Sequence, residues 1–290
     1  MISHPDIGSH GRLGNALFQY AAIRGLAKLT NTEPIIPDNI DTRVHHSQPC
    51  QLIYFKIKSK YLPINQILQL SNKFIENVHV GGFDERFLNL ESNTLLYGHY
   101  ENTRYFDNIQ NDLKDELQLI DEVKNIGKAR LCSYLNNYPD DTKIIGIHMR
   151  LGDKSYVYKE EVSNPNSRIH KYLESAVKQF EDIPNKIFIC FTGGSIYTNF
   201  TTNEDILFCK RFLNTSSYFN NTNIFFSEHN ETIVDFSMLN QVDHMIILGH
   251  STFSWWAGFL SKDPNRKVIV PKEDYFVKDN SFWHPSFIQL

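Results

Sequence analysis

The stretch Ile144-Ile145-Gly146-Ile147-His148-Met149-Arg150-Leu151-Gly152-Asp153-Lys154 starts as an apolar run and finishes in charge. The turn-forming residues 136–142 precede it (Asn-Asn-Tyr-Pro-Asp-Asp-Thr), so the run predicts a buried strand over 144–148. From that strand a regular alternation extends toward the C-terminus. Helices are expected over 169–180, 204–213, 231–239 and 253–260. Strands are expected over 187–192, closed by Gly193-Gly194, and over 223–226, 245–248 and 267–270. Strands and helices alternating at this spacing imply an α/β fold whose parallel sheet is covered on both faces.

The first half shows the same habit more weakly. A helix is expected over 14–29 with Asn31 as its stop, followed by a short strand at 33–36. Residues 51–60 and 94–98 read as strands, and 61–77 is ambiguous. Asp107 is expected to cap a helical stretch to Leu119, with more helix to Leu135. The turn-rich 136–143 then suggests a division into residues 1–138 and 139–290.

The chain has 290 residues, 41% of them hydrophobic, which supplies a core for one large domain or two ordinary ones. A formal charge of −4 offers no basic excess for a nucleic acid backbone, so nucleic acid is not an expected partner. The four cysteines form no C-x-x-C pair and read as free thiols of a reducing compartment. No apolar run is long enough to span a bilayer, and residues 1–9 lack the pattern of a signal peptide. The expected location is therefore cytoplasmic, and the Asn-x-Ser/Thr triplets at Asn199, Asn214, Asn220 and Asn230 read as chance.

Three segments carry chemistry. His148 and Arg150 are two apart, so along a strand they point the same way, and ligands of open α/β sheets sit beyond the strand ends. Arg150 offers a planar, permanently charged fork suited to a diphosphate, and Asp153 could orient Arg150 or Lys154. The bland alternative is a surface ion pair at a strand end. Gly11-Arg12-Leu13-Gly14-Asn15-Ala16 stands where a loop enters a helix. There backbone N–H groups and the amide of Asn15 face an anion, although a loop glycine pair with an Asn cap would look the same. The third segment is Gly249-His250-Ser251-Thr252-Phe253-Ser254-Trp255-Trp256, again a strand end opening into a helix. Ser251 and Thr252 could donate to a phosphate from hydroxyl and backbone, and Phe253 could cover a base or ribose. Trp255 and Trp256 read as core. Asp235 is either a helix-face carboxylate or a reader of guanine N1–H and N2–H, and spacing alone leaves both readings open.

Taken together these segments resemble the α-1,2-fucosyltransferase family. That family shows Gly-x-x-Gly-Asn-Gln early, His-x-Arg-Arg-x-Asp centrally and Ser-Ser-Phe-Ser-Trp-Trp late. The segment Gly98-His99-Tyr100-Glu101-Asn102-Thr103-Arg104-Tyr105-Phe106 is similar to its Gly-Tyr-x-Gln-Ser-x-x-Tyr-Phe. Ala16, Leu151 and His250 depart from the usual residues. The resemblance implies a GT-B-like fold, in which two Rossmann-like domains face a nucleotide-sugar cleft. The N-terminal one would be the acceptor side and the C-terminal one the donor side. It implies GDP-β-L-fucose as donor, a glycan as acceptor (a galactoside 2-hydroxyl), and inversion at the anomeric carbon. It places Arg150 at the β-phosphate, His148 near the nucleoside, Asp235 at guanine, and Asn15, with Gly14, near the diphosphate and fucose. Lys154, Ser251, Thr252 and Phe253 complete the expected donor site.

Inverting transfer puts negative charge on the departing diphosphate, and Arg150 with the Ser251–Phe253 N–H groups is the natural stabiliser. No Asp-x-Asp pair occurs, which predicts a reaction needing no metal or other cofactor. Asp153, Glu160, Glu161, Asp84 and Glu101 are candidates for a general base, with none assigned. The competing readings are a transferase for GDP-mannose or GDP-rhamnose, a protein O-fucosyltransferase, and a nucleotide-binding module without catalysis.

Overall fold

The computed structural model describes residues 1–46, 48–151, 164, 166–193, 203–214, 216, 219, 224–228, 230–272 and 280–290. Met1–Ile120 with residues 280–284 form one packed unit, and the described residues of 121–272 with 285–290 form a second.

In the first unit, β1 (Ile2–Ser3) lies between β2 (Pro34–Pro37) and β7 (Thr94–Tyr97). The short antiparallel pair β3 (Val44–His45) and β4 (Gln48–Pro49) stands apart from them. With β5 (Lys60–Leu62) and β6 (Asn72–Ile75) the sheet order is β5-β2-β1-β7-β6, every pair parallel. The helix α1 (Leu13–Leu29) buries residues around nearly its whole circumference. At Gly25 an added Cβ would sit 2.0 Å from the Tyr105 carbonyl oxygen, so the backbone of 105–106 rests directly on the helix. As expected, the helix stops before Asn31, which adopts the left-handed conformation at φ +49°.

Residues 51–60 are not the strand that their composition suggested. Gln51–Tyr54 is a 3-10 turn that buries Leu52 and places Phe55 beside it, and the strand β5 begins only at Lys60. Buried positions three apart match the 3-10 period rather than the strand period. The ambiguous 61–77 contains the single-turn α2 (Ile64–Ile67) and then β6. Asp107 opens a 3-10 turn leading into α3 (Gln110–Glu116). Its carboxylate accepts from the Gln110 side chain at 2.8 Å instead of capping a backbone N–H.

The second unit opens with α4 (Asp121–Leu135) and β8 (Lys143–Arg150). It continues through α5 (Arg168–Lys178), β9 (Lys186–Gly193), α6 (Asn203–Asn214) and β10 (Ile224–Phe226). Next come α7 (Thr232–Gln241), β11 (His244–Ile247), α8 (Thr252–Phe259), β12 (Val268–Val270) and β13 (Ile288–Gln289). The order β10-β9-β8-β11-β12-β13 is parallel throughout. Along β8 the two faces do different work. Ile145, Ile147 and Met149 join the core with Leu173 and Phe212. Each such side chain, fully withdrawn from water, contributes roughly 1.5–3 kcal/mol. The opposite face carries Gly146, where an added Cβ would lie 2.9 Å from Leu239 Cδ1 of α7. His148 and Arg150 continue that face to the strand's end.

The division between units falls at Ile120/Asp121 and not at 138/139. Helix α4 belongs to the second unit because it packs on α7. Ser237 Oγ donates to Val123 O at 3.0 Å, Gln241 Nε2 donates to Lys124 O at 3.0 Å, and a Cβ at Gly127 would lie 2.3 Å from Ser237 Oγ. Residues 280–284 return to the first unit, where His284 Nε2 lies 2.9 Å from Gln110 Oε1 and Asn102 Nδ2 donates to Ser281 Oγ at 3.1 Å. A turn-rich linker thus sits inside one unit, and the chain order differs from the packing order.

Candidate active site

In the second sheet most of the candidate residues collect at the carboxyl ends of the two central strands, where the connections leave in opposite directions. In open α/β folds that reversal is the place where loops part and a ligand can enter. In the second unit the strands are β8 and β11, which pair Ile247 with His148, and Leu248 N–H donates to His148 O at 3.0 Å. His148 is 6% exposed, and its ring lies 5.6 Å from that of Phe253 in the first turn of α8. Phe236 packs edge-on against the other side of Phe253 at 5.3 Å. Burial, reinforced by Arg150, pushes the His148 pKa down to about 3, so the ring is neutral at physiological pH. Its Nδ1 is buried and meets no hydrogen-bonding partner within the described residues. Among the described residues at this strand end the cation is Arg150, half-buried at the strand's last position.

Ser251 is fully buried and caps α8, accepting from Ser254 N–H at 3.4 Å. Its oxygen thus serves the helix, and the anion-binding capacity of this turn rests on backbone N–H groups with the buried Thr252 beside them. Trp255 and Trp256 are fully buried, as expected.

Asp235, in the first turn of α7, is 7% exposed. Ser227 Oγ donates to its Oδ1 at 2.5 Å and Asn230 Nδ2 donates to the same oxygen at 3.3 Å. Burial raises its pKa to about 7, against the lowering effect of those two donors. A second carboxylate close in sequence, Asp243, lies at the opposite end of the sheet. It accepts from Ile144 N–H at 2.8 Å and Lys143 Nζ at 2.9 Å at the start of β8. Ser227, Asn230 and Phe236 carry no signal in the sequence. Asn230 stood only in an Asn-x-Ser/Thr triplet read as chance, and all three meet Asp235 and Phe253 only through the fold.

In the first unit the candidate residues follow the neighbouring parallel strands β1 and β7. Their loops are laced together by Gln19, whose Nε2 donates to His10 O at 2.8 Å and Gly98 O at 3.2 Å. Asn15 does not cap α1; its Nδ2 donates to Glu101 Oε1 at 2.7 Å and lies 3.4 Å from His99 Nδ1. Gly11 stands at φ +99°, and a Cβ there would come within 2.5 Å of Asn15 Cβ. Gly14 is buried inside the first turn. His10 and His99, also unforeseen, bring their Nε2 atoms to 3.2 Å. Of the base candidates, Glu101 is buried at 7% exposure beside Asn15. Asp84 is committed to structure: it accepts from Arg86 Nη2 at 2.6 Å and Nε at 2.9 Å, and the Arg86 bonds hold its pKa down. Gly152, Asp153, Lys154, Glu160 and Glu161 lie outside the described residues. Among the described residues no three His, Cys, Asp or Glu side chains converge as a metal site, and no helix is long and apolar enough to cross a membrane.

The family model of Glycosyl transferase family 11 matches residues 2–290. The chain belongs to glycosyl transferase family 11. It is a glycosyltransferase, and the resemblance read from its four motifs is borne out. Among its relatives is galactoside alpha-(1,2)-fucosyltransferase 2 of Pongo pygmaeus, 23% identical over 88% of this chain and 68% of that protein. The O-antigen biosynthesis glycosyltransferase WbnK of Escherichia coli is 22% identical and covers 93% of this chain and 94% of its own. This family 11 chain is also similar in fold to solved structures. A mutant of Arabidopsis thaliana FUT1 in complex with GDP superposes with TM-score 0.54 at 12% identity, over 98% of this chain and 72% of that one. POFUT1 in complex with GDP gives 0.52 at 9% identity, over 93% and 97%. These neighbours bear out the GT-B-like α/β class.

Proposed function

We propose that this family 11 enzyme transfers L-fucose from GDP-β-L-fucose to a glycan hydroxyl, a galactoside 2-hydroxyl, with inversion and without a metal. The observation that carries the reading is the constellation at the ends of β8 and β11: neutral His148, cationic Arg150 and Phe253 over the first turn of α8, with Asp235 one residue from Phe236, which packs on Phe253. The named relatives include galactoside fucosyltransferases, and the fold neighbours include structures holding GDP, which supports the same donor class.

In this reading the second unit is the donor side. Arg150 and the N–H groups of 251–253 hold the diphosphate, Phe253 and His148 flank the nucleoside, and Asp235 accepts the guanine N–H groups. The acceptor oxygen attacks the anomeric carbon opposite the diphosphate. The C–O bond to phosphate breaks as the new glycosidic bond forms, and the hydroxyl proton leaves to a base. Charge gathering on the diphosphate is met by Arg150. Asn15 and Gly14 are carried as contacts to the diphosphate and fucose, Lys154 as a further donor contact, and the first unit as the acceptor side, on the family resemblance. The four free cysteines fit a reducing compartment.

The test is incubation with GDP-fucose and an acceptor array, read by mass spectrometry, with GDP-mannose and GDP-rhamnose as parallel donors. Fucosylated galactosides are expected. Turnover of another GDP-sugar in preference would overturn the donor assignment, and GDP binding without any transfer would overturn the activity.

A further inference from the structure

Beyond β10 the chain closes a small polar triangle. Ser227 N–H donates to Cys190 O at 2.9 Å, which extends the β10–β9 ladder by one residue and anchors Ser227. Asn230 Nδ2 donates to Ser227 Oγ at 2.9 Å, and both side chains donate to Asp235 Oδ1. All three residues are buried. These bonds converge on one carboxylate oxygen, and among the described residues none reaches Oδ2. Both partners are donors to Asp235, and a Ser–Asp separation of 2.5 Å is typical of a hydroxyl bound to a charged carboxylate.

We infer that Ser227 and Asn230 are positioning residues for base recognition, tying back one oxygen of Asp235 so that the carboxylate stays ionised and in place for guanine. This rests on the reading of Asp235 as the guanine contact. Without these donors the buried carboxylate would hold its proton to a pH higher still, and a protonated carboxyl could accept only one N–H bond well. Two fixed donors favour the charged form and hold its plane, so the bidentate match to N1–H and N2–H is prepared before the nucleotide arrives. Among the described residues two further titratable groups lie near. Tyr134 of α4 donates to Phe226 O at 3.2 Å, and burial keeps its hydroxyl protonated well past neutrality. Glu228 is exposed and paired with Lys210 at 3.2 Å.

The experiment is calorimetry of GDP, inosine diphosphate and ADP on the full chain, for the wild type, Ser227→Ala, Asn230→Ala and Ser227→Thr, across about pH 6 to 8.5. Each alanine variant is expected to weaken GDP about tenfold. ADP should change little, and the pH below which GDP affinity falls should move upward. Ser227→Thr, which keeps the hydroxyl, should restore both. Equal losses for GDP and ADP, or alanine variants that bind GDP like the wild type with an unmoved pH profile, would overturn the inference. If Ser227→Ala does not fold, Asn230→Ala carries the test alone, since Asn230 is the less deeply buried of the two. A wild type that does not prefer GDP to ADP would instead remove the guanine reading itself.

Discussion

Replacing Asp235 with asparagine should stabilise the protein while weakening its hold on guanine. The carboxylate is buried, and its pKa rises from 3.8 to about 7 on folding. The folded state therefore holds more protons than the unfolded state between those values, so stability falls as pH rises through that window. The contribution is fully present below about pH 4 and lost above about pH 7. A shift of about three units at about 1.4 kcal/mol each corresponds to roughly 4 kcal/mol. The amide in Asp235→Asn has no charge to desolvate, and its oxygen can still accept from Ser227 and Asn230. Neutral hydrogen bonds are weaker than the charge-assisted ones they replace, which trims the gain to about 2–4 kcal/mol at pH 8. At roughly 2–4 °C per kcal/mol for a unit of this size, the variant should melt on the order of 5–10 °C higher at pH 8. The two proteins should converge toward pH 4. Added GDP should raise the wild-type melting temperature more than that of the variant. Thermal denaturation at several pH values, with and without GDP, reads all three effects. A variant that melts lower than the wild type at pH 8, or a difference that does not change with pH, would refute the reasoning, because the buried charge would then carry no desolvation cost.

Arg150→Ala should lower the transfer rate by on the order of 10²-fold or more with the melting temperature preserved; Arg150→Lys should fall between, since it keeps the charge and loses the fork. Near wild-type kcat for the alanine variant on GDP-fucose would remove Arg150 from the chemistry. Turnover should persist in excess EDTA; if chelation stops the reaction and Mn²⁺ restores it, charge stabilisation by Arg150 and the α8 N–H groups is the wrong account. Gly25→Ala would place a methyl 2.0 Å from the Tyr105 carbonyl oxygen, where neither backbone can yield cheaply. It should cost at least about 1–3 kcal/mol, read as a lower melting temperature for the first unit, and an unchanged melt would show that α1 can slide on the 105–106 segment.

Much of this protein was legible in its residues, and the reasons are local. The run from Ile144 to Ile147 is apolar on both faces because both faces of a parallel strand are covered, so it announced its strand and the α/β class together. The segments after it kept helix and strand periods long enough to be told apart. His148, Arg150, Ser251 and Phe253 were visible because strand ends in such sheets place polar residues directly after apolar ones. Asn31 showed where α1 stops for the same kind of reason: it lies at the boundary of a periodic segment.

What only the tertiary structure decided depends on contacts between residues far apart in the chain. Residues 51–60 carried strand-like composition, yet Leu52 and Phe55 are buried three apart, and packing overrode propensity. The turn-rich 136–143 looked like a domain boundary, but α4 is held to α7 by Gly127, Ser237 and Gln241, more than a hundred residues apart in sequence, so the break moved to Ile120. Spacing left Asp235 open between a helix-face carboxylate and a base reader, and burial and its two donors gave it a distinct chemistry. Periodicity and strand-end polarity are written in neighbouring residues, and the sequence therefore determined the class and the donor motifs. Burial, pKa and the partnership of Ser227, Asn230 and Asp235 arise from the summed surroundings of a side chain, which exist only once the chain has folded.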